Sequence, residues 1–363
     1  MTQTAIPYLF MRGGTSRGPY LNRDDLPEDL DTLAEVLIAV VGAGHPLNID
    51  GIGGGNPVTT KVAMLSRSND DWADIDFFFA QVSVMERSVD FKPTCGNILA
   101  GVGAAAIEMG LITTTGAETV VNIKATNTGA RVVAVVQSGP DGVAYAGQAA
   151  IDGVPGTAAP VQLRFLDTVG GATGALLPTG NLIDRFNGIE VTCMDVAMPM
   201  VIARASEFGL TGYESLDALN DNTAFFAKME AVRIAAGNAM GIANVESSVT
   251  PKFGLLALAK DGGTVAARYF MPWKTHPTMA VTGAQCLASC LLTPGTIAEG
   301  LAARAPDRPA TITLEHVSGT IDVVVDYELE DGGINLRSAG LLRTARLLAR
   351  GEVMVPRSVW SGT

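Results

Sequence analysis

The chain has 363 residues, 47% of them hydrophobic and 17% charged, with a formal net charge of −12. That is ample apolar material for buried cores, and at roughly 100–200 residues per domain it suggests two domains. The acidity argues against nucleic-acid binding, which needs a basic face, and suits solubility instead.

In chain order, residues 10–26 (FMRGGTSRGPYLNRDDL) read as a strand, a glycine turn, a second strand and an acidic exit. Residues 30–41 read as a helix, and the glycine loop GIGGGN (51–56) follows. Lys61 then opens an apolar strand, and 76–84 reads as another. Residues 97–109 are a Gly/Ala-rich helix, with strands at 119–124 and 131–136. Residues 193–210 (CMDVAMPMVIARASEFGL) return to the opening pattern. Helices at 222–236 and 283–292 and strands at 311–315 and 321–326 follow. Residues 341–350 have helical composition. The strand–helix alternation is too loose for a doubly wound Rossmann domain.

The return at 193–210 is one of several matches. VTTKVAML (58–65) aligns with VTPKFGLL (249–256), pairing Lys61 with Lys252. Lys92-Pro93-Thr94 answers His276-Pro277-Thr278, each before a small-residue helix. Asn127-Thr128-Gly129 answers Val317-Ser318-Gly319, and Asp141-Gly142 answers Asp331-Gly332. The common order and near-constant spacing predict an internal duplication. We expect an α+β protein of two similar domains, 1–184 and 185–363. Each would be a mostly antiparallel sheet wrapped about a central helix, with the active site in the cleft between them.

Gly14-Thr15-Ser16-Arg17-Gly18 fits the serine-hydrolase pattern G-x-S-x-G, but that elbow needs a helix after it, and Pro19-Tyr20-Leu21 reads as strand. The better reading is a turn whose amides and hydroxyls (Gly14, Thr15, Ser16) hold a carboxylate, flanked by Arg12 and Arg17 for bidentate binding. The loop around Gly54 is neither a dinucleotide nor a Walker motif, and its consecutive glycines suggest close approach to a ligand. A lysine such as Lys61, at the edge of a buried strand, loses hydration, which disfavours its charged form and suits it to act as a base. The bland alternative is a snorkelling side chain. Cys95-Gly96-Asn97 puts a thiol at a helix N-terminus, where the dipole and free amides favour anions. Cys193, Cys286 and Cys290 fit buried structural cysteines better. In the second half Thr282 and Gly283 offer a hydroxyl and amides without a thiol, with His276 and Lys274 just before them.

With four cysteines and three histidines there is neither a disulfide framework nor a metal cluster in view. The first residues form no signal peptide, and no apolar run would span a membrane, so a cytoplasmic location is expected.

The segments MRGGTSRG (11–18), DGIGGGNPVTTK (50–61), CGNILAGVG (95–103), LLPTGN (176–181), HPTMAVTGA (276–284) and RTARLLARGEV (343–353) together resemble the family of 2-methylaconitate isomerases and 4-oxalomesaconate tautomerases, over essentially the whole chain. The resemblance implies the diaminopimelate-epimerase-like fold and an isomerase that moves a proton on a small unsaturated polycarboxylate. It also implies acid/base roles for Lys61 and Cys95, and neither metal nor cofactor. For the oxalomesaconate-acting members the resemblance implies a place in gallate or protocatechuate 4,5-cleavage. The epimerases of this fold use two facing cysteines; here the second position carries Val281-Thr282-Gly283, which puts a two-thiol racemase in doubt. The nearest competing reading is another isomerase of the same family, acting on 2-methylaconitate, aconitate or methylitaconate; the others are a non-catalytic small-acid binding protein and a serine hydrolase. Oligomeric state stays open, a homodimer being one arrangement.

Overall fold

The computed structural model describes residues 2–271, 273–303, 307–330 and 333–362. The chain folds as two compact units. One comprises Met1–Arg164 with Leu342–Thr363, the other Phe165–Leu341.

The first unit begins with β1 (Gln3–Gly13) and β2 (Ser16–Asn22), then α1 (Leu30–Val41), β3 (Lys61–Arg67), β4 (Ile75–Val82) and β5 (Val89–Asp90). After α2 (Gly96–Leu99) and α3 (Val102–Glu108) come β6 (Glu118–Ala125), β7 (Ala130–Gly139), β8 (Gly142–Val143) and β9 (Pro160–Phe165). Pairing runs β1–β2 antiparallel, β2–β3 parallel, β3–β4 antiparallel, β4–β6 parallel and β6–β7 antiparallel. Each parallel step is a crossover through helical chain, as parallel neighbours require.

The second unit has β10 (Asp184–Phe186), β11 (Ile189–Asp195), β12 (Pro199–Arg204), α4 (Leu216–Asn220), α5 (Thr223–Ala239), β13 (Lys252–Ala257) and β14 (Val265–Phe270). It continues with α6 (Val281–Leu292), β15 (Ala310–His316), β16 (Gly319–Glu330) and β17 (Gly333–Pro356). From β11 to β16 the pairings are again antiparallel, parallel, antiparallel, parallel, antiparallel. The two units therefore repeat one topology, as the duplicated sequence predicts. Lys61 and Lys252 are the first residues of equivalent strands, β3 and β13. Asp331-Gly332 lies outside the described residues, so that match is not tested.

Each unit wraps its sheet around one helical segment. In the first, α2 packs on β1, β2 and β3, and α3 on β3, β6 and β7. In the second, α6 packs on β11, β12, β13, β15 and β16. Gly283, Ala284, Cys286, Leu287, Ala288 and Cys290 of α6 are all buried, as expected of a helix apolar on every side. A second helix covers the other face of each sheet: α1 through Leu33, Val36, Leu37 and Val40, and α5 through Phe225, Met229 and Val232.

Three expectations need correcting. Residues 341–350 are not helical but lie within β17, whose register is fixed by β16 and then by β1; strand pairing overrides helical composition. The boundary at 184 shifts, because residues 342–363 return along β1 to the first unit and residues 165–184 belong to the second. The helix expected at 97–109 is broken into α2 and α3, at the point where the buried Tyr20 hydroxyl donates to the Ile98 carbonyl (2.5 Å).

Candidate functional site

The glycine turn between β1 and β2 lies directly on the start of α2. Gly14 has φ +51°, and a Cβ there would meet Asn97 Oδ1 at 2.1 Å, so only glycine lets turn and helix approach this closely. The Thr15 amide donates to Asn97 Oδ1 (3.4 Å), and the Gly14 amide donates to the Thr344 carbonyl (2.9 Å). Ser16 is buried and opens β2, a strand, so the hydrolase elbow lacks its helix.

Cys95 is the N-cap residue of α2, half-buried, and its side chain makes no capping bond. The first intrahelical bond runs from Leu99 N–H to the Cys95 carbonyl (2.9 Å). The amides of Gly96, Asn97 and Ile98 thus have no partner within the helix. The helix is one turn long, so its dipole is weaker than the sequence suggests, and the anion-binding capacity rests on these local amides. Burial pushes the Tyr20 phenol well above its ordinary range, with Cys95 adding to the effect. Tyr20 therefore stays neutral as a donor beside the thiol.

Lys61 is half-buried at the head of β3. Strand alternation puts its side chain on the same face as Ala63 and Leu65, the face turned to α2. Its Nζ donates to Gln81 Oε1 (2.6 Å) and sits 5.3 Å from the centre of the Phe79 ring. Gln81 is oriented by donating through Nε2 to Pro57 O, Thr60 Oγ1 and Val82 O, each at 3.2 Å. A neutral amide rather than a carboxylate meets the lysine, so no fixed negative charge ties up its Nζ. Sequence reasoning missed Gln81 and Tyr20. The signal for Gln81 was a lone amide in the apolar run FFFAQV, opposite Lys61 in register.

Other predicted residues are placed differently. Arg12 and Arg17 are cross-strand partners on the sheet face turned away from α2. They flank the turn in sequence but do not share the face of Lys61 and Cys95. Arg12 Nη1 donates to the carbonyls of Gly14 and Thr344, both at 2.9 Å, and so braces the turn. The glycines around Gly54 are taken up internally: a Cβ at Gly54 would meet Thr59 Oγ1 at 2.7 Å and Arg17 Nη2 at 2.9 Å. Their close approach is to protein atoms.

In the second unit, Lys252 is half-buried, and its ammonium is pulled below the usual lysine range by burial and by the charge of Arg233. His276 packs edge-on against Tyr269 (5.7 Å) and accepts through Nδ1 from the Thr278 amide (3.1 Å). Burial lowers its pKa, and Lys252 adds to the effect. Thr282 and Gly283 lie in the first turn of α6, ahead of its first intrahelical bond from Ala284 N–H to Ala280 O (2.8 Å). A Cβ at Gly283 would meet the Tyr269 ring at 2.3 Å. Among the described residues, no group of three or more His, Cys, Asp or Glu side chains could hold a metal ion, and no helix is long and apolar enough to cross a membrane.

The family described as PrpF protein matches residues 3–356. The chain is 46% identical to a (4E)-oxalomesaconate Delta-isomerase of Novosphingobium sp. (strain KA1), over 97% of this chain and 98% of that protein. It is 44% identical to a 4-oxalomesaconate tautomerase of Pseudomonas putida, over 100% of this chain and 99% of that one. A crystal structure of a methylitaconate-delta-isomerase superposes with a TM-score of 0.91 at 33% identity, covering 99% of this chain and 97% of that one.

Proposed function

The chain belongs to the PrpF protein family, and from that premise we propose that it is a cofactor-independent isomerase that shifts a proton across the allylic or keto–enol system of 4-oxalomesaconate. The substrate assignment draws on the two oxalomesaconate-acting relatives. One observation carries the site: Lys61, paired with a neutral amide, lies on the sheet face that packs on α2, at whose start stand Cys95 and the unpaired amides of Gly96 and Asn97.

The mechanism needs a base, a place for the developing negative charge and a proton donor. Lys61 in its neutral form removes a proton from the carbon next to the conjugated system, giving a dienolate. The amides of Gly96 and Asn97 stabilise the oxygen on which the charge collects, which is the main electrostatic task. The hydroxyls of Thr15 and Ser16 receive a carboxylate. Cys95, or Lys61 returning its proton, reprotonates the far end of the three-carbon system. The reaction places the protein in 4,5-cleavage catabolism of gallate or protocatechuate, within the thiol-reducing cytoplasm that suits its free cysteines.

Proton NMR in deuterated water with purified 4-oxalomesaconate tests the reading. Isomerisation with deuterium at the terminal carbon is expected, and Lys61→Met should nearly abolish it while substrate binding persists. Undiminished turnover in Lys61→Met would sink the assignment of the base. The likeness to the methylitaconate-delta-isomerase favours a second reading, in which a smaller unsaturated dicarboxylate is the substrate. Faster turnover of methylitaconate than of oxalomesaconate would establish it.

A further inference from the structure

Three arginines stand in register across adjacent strands of the first unit. Arg346 of β17 is paired with Arg12 of β1, and Arg12 is paired with Arg17 of β2. All three line a cavity of about 380 Å³, whose other wall comes from the segment 145–158, including Tyr145 and Thr157. The lining contains no carboxylate, in a chain whose net charge is −12. Among the described residues, none of the three arginines forms an ion pair with a carboxylate. Arg12 spends Nη1 on the Gly14 and Thr344 carbonyls and the Thr344 hydroxyl (3.0 Å). Arg17 lies 5.6 Å from the centre of the Phe10 ring.

Like charges directly opposite each other across strands destabilise a sheet, and this row places two such pairs side by side. Burial lowers the Arg12 pKa, and the charge of Arg346 lowers it further. Each guanidinium is a planar fork suited to bidentate oxyanion binding. We propose that the Arg346–Arg12–Arg17 row is a second anion site, for a small di- or tricarboxylate, on the sheet face opposite Lys61 and Cys95. The site neutralises the row and holds the acid by its carboxylates without exposing it to the base. It does not depend on which reaction the Lys61 face performs.

Calorimetry of the full chain with tricarballylate, a saturated tricarboxylate that cannot isomerise, tests this, with inorganic phosphate as the second probe. Arg346 is exposed, so Arg346→Gln should fold normally. Without added anion at low salt, its Tm should equal or exceed that of the parent chain. The expected result is one equivalent of tricarballylate weakened about tenfold or more in Arg346→Gln, with KM for the isomerised substrate unchanged. The same equivalent should persist in Lys61→Met, so failure of the proposed reaction would leave this result standing. Binding unaffected by Arg346→Gln, a KM that rises in step with the lost binding, or a lowered Tm would overturn the proposal. Phosphate binding more tightly than tricarballylate would overturn the polycarboxylate class.

Discussion

Gly14→Ala tests how the β1–β2 turn positions the start of α2. The change has two separable costs. A non-glycine residue at φ +51° carries the left-handed penalty of about 1–2 kcal/mol. The new Cβ would also lie 2.1 Å from Asn97 Oδ1, whereas ordinary contact begins at 3.4 Å, so the amide must retreat by about 1.3 Å or more. The lost bond from the Thr15 amide is long, at 3.4 Å, and is worth about 0.5 kcal/mol or less. Gly110→Ala is the control: φ is +73° and nothing lies within 4 Å of its Cβ, so it carries the backbone penalty alone. At about 2–4 °C per kcal/mol, both variants should lose about 2–8 °C in Tm, Gly14→Ala slightly more. Activity should separate them, since a misplacement of about 1 Å at a reacting site can cost about 100-fold. Proton exchange followed by NMR should fall by about that factor in Gly14→Ala and stay near the parent value in Gly110→Ala. Equal activities at equal Tm loss would refute the link between the turn and the catalytic face.

Two further predictions concern the thiols and the second unit. Cys95 is half-buried, whereas Cys193, Cys286 and Cys290 are buried and burial pushes all three thiols up, Cys290 to about 12. Iodoacetamide under native conditions should label the Cys95 peptide alone by mass spectrometry, and labelling should slow with bound substrate; modification of a second thiol without unfolding would contradict the burial. Burial alone would raise the Glu315 carboxyl, but the Tyr213 hydroxyl and the amides of Lys260, Gly263 and Asp261 override it and hold it at about 2, below its ordinary 4.5. A depressed carboxyl stabilises the fold above about 4.5 and loses that stabilisation as pH falls towards 2. Glu315→Gln should lower Tm at pH 7 and flatten its fall across that window, and parallel curves for the two proteins would argue against the clamp.

Much of the fold was legible because the duplicated motifs sit at fixed points of it. The bounds of α1 follow from an apolar periodicity that starts after Asp29, whose carboxylate accepts from the Thr32 amide (2.8 Å), and stops at Gly42. Residues 341–350 misled because Leu, Ala and Arg favour a helix locally, while the register with β1 is a long-range property that composition does not carry. Of the candidate site, the sequence made the placement of two residues legible. Lys61 and Cys95 advertise themselves by position: one at a strand start, the other at a helix start. The arginines did not, because sequence adjacency to the turn says nothing about which sheet face they occupy. In an antiparallel pair, face is decided by register, and a shift of one residue reverses it.

The two units share a frame but differ in the groups that line it. Each has a lysine heading the strand that follows its outer helix, and each has an inner helix with unpaired first-turn amides. Their surroundings differ. Lys61 meets the neutral Gln81, and the helix of its unit begins at a thiol. Lys252 lies near the buried Arg233 and close to His276, and the helix of its unit begins at Ala280. An epimerase working with two thiols needs an acid and a base of the same kind in both halves, and Ala280 cannot supply the second. A 1,3-proton shift needs only one amine base, a stabilised dienolate and a donor within reach of the same face. The first unit offers a residue type for each of these parts in Lys61, Cys95 and the first-turn amides of α2, which is what the proposed one-sided proton shift calls for.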